Sequence, residues 1–408
     1  MYPLEKKQLK LSLEVILIGL IFISFESCHR PEEKEVNLVL ADTLVNFQVR
    51  PATKWTNFFY RKNGWFGADG IFTMNLNGRE HIGASEQDSV FMYFSDTMTG
   101  EVKGDTVESF KMINNSYAAI SGFQPSNKTI QIKVNSDEIG RPINYFNPTT
   151  PNTQPEEYYW LGDGFVNHED NNSINIFGYR VVDNGEKSWD FEIKGVTLLT
   201  IPSGSKAPFV DHSQIDLPLF VDIDSLGKGT FGAGIYVHTE AAGSPDPDGY
   251  LYVYGLIDPG KKLVVSRVPP KHVKEISKWR FWDGVDWNIN IDKVQPVTDR
   301  VSNEVSLTRL KDNRFLLVFQ EDGIGQYTAI RIGEHPVGPF GPIQRIWKAP
   351  EVDDLPGIIP YNAKAHPALS NDRELLISYN TITMDYFNDI LNYPHSYRPR
   401  FIWLRIDD

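Results

Sequence analysis

From Glu304 the chain reads E-V-S-L-T-R-L, then K-D-N-R from Lys311, F-L-L-V-F-Q from Phe315 and, after a further turn, Y-T-A-I-R-I from Tyr327. Each apolar run is the length of one strand and too short for a helix, and the charged and amide residues between them are turn formers. Three short strands joined by turns make an antiparallel meander. His366-Pro-Ala-Leu-Ser-Asn-Asp-Arg-Glu-Leu-Leu-Ile-Ser-Tyr-Asn begins the next one in the same style.

Working back toward the N-terminus, strand-like runs come in the same clusters: 71–76, 90–94 and 117–120; 158–161, 174–181 and 189–199; 231–238, 250–256 and 262–268; 305–310, 315–320 and 328–332; 368–369, 374–379 and 401–406. Pro and Gly are spread along the whole length, and no long amphipathic helix interrupts the pattern. The expected fold is therefore all-β, and five groups of three or four strands have the spacing of a five-bladed β-propeller, with a β-sandwich as the alternative. Residues 36–49, with their own alternation, would add an outer strand to the last blade and close the ring.

The N-terminus has a different character. Lys6 and Lys7 precede an apolar run over 15–25, too short for a comfortable membrane span, followed by Ser27-Cys28. This reads as a lipoprotein-type signal over 1–28 with Cys28 as the acylated residue, a charged tether over 29–40, and one domain over 41–408. Phe25-Glu26-Ser27 departs from the usual residues ahead of such a cysteine, and the alternative is an uncleaved anchor. Either address is an exported, membrane-attached one. Cys28 is the single cysteine, so the body of the protein has no disulfide, cysteine ligand or thiol nucleophile.

A chain of 408 residues with 41% hydrophobic content buries a large core, and a net charge of −13 works against nucleic acid as a partner. No phosphate-binding glycine loop, nucleophile elbow or His-Glu-x-x-His motif is present. A neutral partner and a monomeric chain fit better.

The first strand group carries the chemistry. Gly64 to Thr97 contains Asp69 just before one strand pattern and Asp96 just after the next, with Asn77-Gly78 at the hairpin tip and a polar insert over 79–89 lengthening it. In an antiparallel hairpin the start of one strand and the end of the other share an edge, so the two carboxylates are expected side by side. Paired carboxylates suit glycosidic cleavage. Asp beside Gly is also ordinary turn composition, and the aromatics around the pair, Trp65 among them, suit either a sugar-stacking wall or a core.

The combination G-A-D-G-I-F-T-M-N-L-N-G, F-S-D-T, E-H-P-V-G-P-F-G-P, Y-N-A-K-A-H-P-A-L-S and L-L-I-S-Y-N-T resembles the five-bladed propeller glycosidase-like proteins, and most nearly the family called domain of unknown function 4185. The resemblance spreads from about residue 55 to the C-terminus. It implies endo-D-arabinanase-like action on furanose-containing polysaccharides, with Asp69 and Asp96 as the catalytic acids.

Further candidates follow. Asp163 in W-L-G-D-G-F-V is either a turn residue or a substrate contact opening the second blade. Trp282 and Asp283, in R-F-W-D-G-V-D-W with Trp279, Phe281 and Trp287, are sugar-binding or blade-packing residues. Glu304, at a strand start, is a third acid or a solvated edge charge. His366 is a channel-lining residue or holds a substrate hydroxyl. No cofactor is expected, and one histidine without partners is not a metal site, although an oxygen-ligated calcium in the channel fits the fold. The leading function is hydrolysis of a furanose-containing glycan such as arabinan; the alternative is a catalytically silent carbohydrate-binding propeller on a cell surface.

Overall fold

Val305 to Arg309 pairs antiparallel with Phe315 to Gln320, Val305 opposite Phe319 and Arg309 opposite Phe315, and the next strand Tyr327–Gly333 follows in register. The turn between the first two is closed by Leu310 N–H donating to the Arg314 carbonyl at 2.8 Å, with Asn313 in the left-handed region that its side chain tolerates. This unit recurs through the computed structural model, which describes residues 43–84, 89–122, 124–185 and 190–407. The expectations for Cys28, the signal and the tether lie outside the described residues.

Five antiparallel sheets have four or more strands, in chain order from the inner strand outward except as noted. Sheet I is Phe72–Asn75, Ser89–Phe94, Ser116–Ser121 and Ile130–Lys133. Sheet II is Tyr158–Asn167, Ser173–Asp183, Phe191–Ile201 and Ser213–Leu217. Sheet III is built on Gly227–His238, Tyr250–Asp258 and Lys262–Val268, extended by Arg280–Trp282 and Trp287–Asn288 on one side and Phe220–Ile223 on the other. Sheet IV is Val305–Arg309, Phe315–Gln320, Tyr327–Gly333 and Gln344–Lys348. Sheet V is Ile358–Ala365, Leu375–Thr383, Arg400–Ile406 and, from the other end of the chain, Phe47–Pro51.

Apolar residues fill the space between successive sheets. Phe91 and Tyr93 of sheet I meet Tyr159 and Ile176 of sheet II. Phe177 and Leu198 meet Val253 and Val264 of sheet III, and Tyr254 and Val265 meet Leu317 and Phe319 of sheet IV. Leu316 and Ile330 meet Ile377 and Leu404 of sheet V. Leu376 and Phe401 of sheet V then return onto Met92 and Ala118 of sheet I. Each sheet buries both faces, which is why most strands read as continuous apolar runs rather than clean alternation.

The expected strands hold, with three corrections. The chain-closing strand is Phe47–Pro51, at the end of the expected 36–49. The first strand of sheet V is Ile358–Ala365, whereas the expected strand at 368–369 is a 3-10 turn, Pro367–Leu369. Pro360 lacks a donor and disguised this strand, but its strand is a sheet edge, where proline is tolerated. The hairpin bearing Asp69 and Asp96 also runs on: Asn63–Ala68, Thr97–Lys103 and Thr106–Ile113 form a separate three-stranded sheet beyond the acids.

The chain-closing strand generates a prediction. Phe47 and Val49 pack against the core between sheets IV and V, and burying such side chains contributes about 1.5–3 kcal/mol each when complete. A protein beginning at residue 52 is expected to lose about 2–4 kcal/mol against one beginning at residue 43, read from urea midpoints at unchanged m-value. Equal midpoints would show that the strand does not fasten sheet V.

Candidate active site

Asp69 and Asp96 face each other where the long ribbon changes sheets. Asp69 N–H donates to the Asp96 carbonyl at 3.1 Å, and Ser95 N–H to the Asp69 carbonyl at 2.9 Å. The reciprocal bonds fix the two backbones together, as the hairpin argument required. Gly70 follows Asp69 with φ +60°, and a Cβ there would lie 2.4 Å from Ser95 Oγ, so the crossing tolerates only glycine.

Each carboxylate is held by donors from other elements. Asp69 Oδ2 accepts from Tyr361 O–H at 2.8 Å, with Tyr397 as a second phenol donor. Asp96 Oδ1 accepts from Asn114 Nδ2 at 2.9 Å and Oδ2 from Trp160 Nε1 at 3.0 Å. Burial raises the Asp69 carboxyl to about 6, against the lowering effect of the phenols. Burial and then the charge of Asp69 raise Asp96 further, to about 8, outweighing Asn114 and Trp160. Two carboxyls raised in this way do not ionise together, and the pair retains a proton toward neutral pH, with the charge of Asp69 favouring its place on Asp96.

Glu304 stands just ahead of the first strand of sheet IV. Its Oε1 accepts from Asn362 Nδ2 at 2.6 Å, while its Oε2 is buried without a partner. Burial, then the charge of Asp69, push its carboxyl well above the ordinary range. Tyr361 and Asn362 are consecutive, so two adjacent side chains of sheet V hold Asp69 and Glu304 at one end of the ring. Asn362 is in the left-handed region beside a break in strand register between Tyr361 and Lys364, which lets both reach inward.

The other expected residues separate. Asp163 lies within the first strand of sheet II, at a register shift between Leu161 and Gly164, and does not open that strand. It is buried; its Oδ2 accepts from Lys364 Nζ at 2.7 Å and from Ile235 N–H at 2.9 Å. His366 follows the first strand of sheet V instead of starting one. It is fully buried, its ring nitrogens engaged by Thr73 Oγ1 at 2.9 Å and Ser378 Oγ at 2.7 Å, so it has no nitrogen for a substrate hydroxyl. Trp65 is core, 3% exposed and packed on Phe59 and Phe94. Trp282 is three strands outward from the inner strand of sheet III, and Asp283 closes its own turn by accepting from Val285 and Asp286 N–H groups.

Trp160, Tyr361, Tyr397 and Asn114 were missed in the sequence. W-L-G-D-G carries both Trp160 and Asp163, and the register shift between Leu161 and Gly164 breaks the alternation that would otherwise relate them; a tryptophan three residues from Asp163 was the available signal. Among the described residues no group of three His, Cys, Asp or Glu side chains is placed to hold a metal ion.

A family model described as a domain of unknown function (DUF5005) matches residues 52–406. The chain belongs to that family. The motif resemblance pointed instead to domain of unknown function 4185; the model that matches is DUF5005. Among solved structures, this DUF5005 protein is similar to one from Bacteroides ovatus named provisionally as a hydrolase, at 20% identity and a TM-score of 0.65, covering 88% of this chain and 90% of that one. That likeness shows a shared fold. An exo-β-1,3-galactanase from Phanerochaete chrysosporium matches at 10% identity and a TM-score of 0.44, covering 88% of this chain and 64% of that one. An α-L-arabinofuranosidase from Podospora anserina matches at 9% identity and a TM-score of 0.41, covering 85% and 98%. Comparison with curated proteins gives no match.

The raised carboxyls have a thermodynamic consequence of definite sign. Asp96 at about 8 in the folded state, against an ordinary 3.8, binds a proton that the unfolded chain has released, so its contribution to stability falls as pH rises from about 4 to 8. Asp96→Asn removes this dependence. The DUF5005 protein is expected to melt at lower temperature at pH 8 than at pH 5, with a smaller difference in Asp96→Asn, measured by calorimetry. An unchanged difference would place Asp96 in the ordinary carboxylate range.

Proposed function

We propose that this protein is a glycoside hydrolase built as a five-bladed β-propeller, with sheets I to V as the blades, and that it cleaves a furanose-containing polysaccharide such as arabinan. The observation that carries this reading is the Asp69–Asp96 pair, fixed backbone to backbone with both carboxyls raised by burial. Asp96 gives its proton to the glycosidic oxygen, which departs as the sugar alcohol. Asp69 either attacks the anomeric carbon, forming a glycosyl-enzyme ester that a water deprotonated by Asp96 then cleaves, or takes a proton from a water that attacks that carbon directly; one water is consumed on either route, and its hydroxyl stays on the released sugar. Tyr361 orients Asp69, and the half-buried Trp160 ring, edge-on to Phe191 at 4.5 Å between centroids, offers an apolar face beside Asp96 for a sugar ring. The furanose preference rests on the motif resemblance. Export and acylation at Cys28 belong to the same reading, since polysaccharides are met outside the cell.

The test is a panel of arabinans, fructans and galactans with the wild type, Asp69→Asn and Asp96→Asn. Turnover of one glycan is expected, reduced at least about 10³-fold in each variant with the fold intact, as loss of an acid or nucleophile requires. A variant that cleaves at the wild-type rate would return its aspartate to a turn role. Binding of a glycan without cleavage by the wild type would establish the silent carbohydrate-binding propeller instead.

A further inference from the structure

The lengthened hairpin of sheet I is not used by the Asp69–Asp96 site. Its described part folds over the far end of the ring: Glu80 Oε1 accepts from Asn75 N–H at 2.8 Å, Gly83 N–H donates to the Pro367 carbonyl at 3.2 Å, and Ile82 packs on the core between sheets IV and V. Asn75 ends the strand that begins beyond Asp69, so this is the end opposite the acid pair. Thr308 gives the same answer, lying four residues past Glu304, about 13 Å along a strand at ~3.3 Å per residue.

Here the fold forms a partly open cavity of about 290 Å³. Glu80, Ile82, Tyr236 and Thr308 wall it, and Asp163 and Lys364 form its floor. Its lining is mostly apolar, but polar groups converge on it. Thr308 Oγ1 is buried with no hydrogen-bond partner. Lys364 spends two of its three N–H donors, on Asp163 Oδ2 at 2.7 Å and the Val305 carbonyl at 2.8 Å. Glu80 adds a carboxyl group.

The charges decide what kind of molecule fits. Asp163 and Lys364 neutralise each other, so the floor has dipolar character without net charge. Glu80 is raised by burial to about 8 and is mostly neutral at pH 7, able to donate as well as accept. At the exposed rim Arg309 pairs with Asp246, and Lys311 and Asp372 carry opposite charges, so the lining balances and a ligand with net charge gains no excess of counter-charge for its lost hydration. A compact neutral molecule with an apolar face for Ile82 and the Tyr236 ring, and hydroxyls for Thr308, Glu80 and Lys364, satisfies both kinds of wall.

We propose that this cavity is a second binding site, at the end of the ring opposite Asp69 and Asp96, for a neutral polyhydroxylated molecule the size of one sugar ring. The site binds without cleaving and does not depend on the hydrolase reading. Saturation-transfer NMR and titration calorimetry with L-arabinose, D-galactose and myo-inositol test it, using wild type, Asp69→Asn, Thr308→Val and Ile82→Trp. At least one probe is expected to bind wild type and Asp69→Asn alike, about 3- to 10-fold more weakly to Thr308→Val, as loss of one hydrogen bond implies, and not to Ile82→Trp, which fills the cavity. Thr308→Val changes no volume and keeps the test decisive if Ile82→Trp fails to fold. Failure of all three probes to bind wild type overturns the proposal, and so does binding that Asp69→Asn abolishes while Thr308→Val leaves it unchanged.

Discussion

A single ammonium group holds the inner ends of four sheets. Lys364 Nζ, from sheet V, donates to Asp163 of sheet II and to the Val305 carbonyl of sheet IV, and the same Asp163 oxygen accepts from Ile235 N–H of sheet III. Phe72 of sheet I lies beneath it, its ring centre 5.0 Å from Nζ. Between the sheets the contacts are apolar and non-directional, sufficient for adhesion but weak in fixing register. The buried ion pair supplies direction. Removing one partner from such a pair typically costs about 3–5 kcal/mol because the other is left uncompensated.

The same node sets the electrostatics on either side of it. Lys364 pairs with Asp163 and also draws down Glu304 and Glu80, yet Glu304, Asp69, Asp96 and Glu80 stand in poorly hydrated positions where burial outweighs it. Their carboxyls all rise from the ordinary range, with burial the largest cause in every case. The donors then sort them. Asp69 has phenols and stays lowest; Asp96 also bears the charge of Asp69 and rises above it. The raised carboxyls of two adjacent aspartates thus arise from where the ribbon crosses between sheets, and chemistry and architecture have one origin.

Much of this was legible in the sequence because strand length and turn composition are local. The meander from Glu304 to Ile332 needed only apolar runs and the Lys311–Asn313 turn, and the pairing of Asp69 with Asp96 followed from hairpin geometry whatever the insert did. Glu304 was found for the same reason, as a charge at a strand start. His366 failed because Pro360 hid the strand preceding it, which turned a strand end into an apparent beginning. Trp65 and Trp282 failed because composition cannot tell a core tryptophan or an outer-strand one from an exposed wall. Lys364 and Tyr361 were invisible as site residues: their partners, Asp163 and Asp69, are distant in sequence, and only closure of the ring brings them together.

The division of protonation between Asp69 and Asp96 is the central claim, and it can be read directly at the carboxyl carbons. With aspartate ¹³C-labelled at Cγ, and Asp69→Asn and Asp96→Asn used for assignment, NMR titration should show Asp96 changing protonation near pH 8 and Asp69 near pH 6. In Asp69→Asn the Asp96 midpoint should fall, because the neighbouring charge is gone. Both carboxyls titrating at about 4, the ordinary aspartate value, with Asp96 unmoved by Asp69→Asn, would contradict the account.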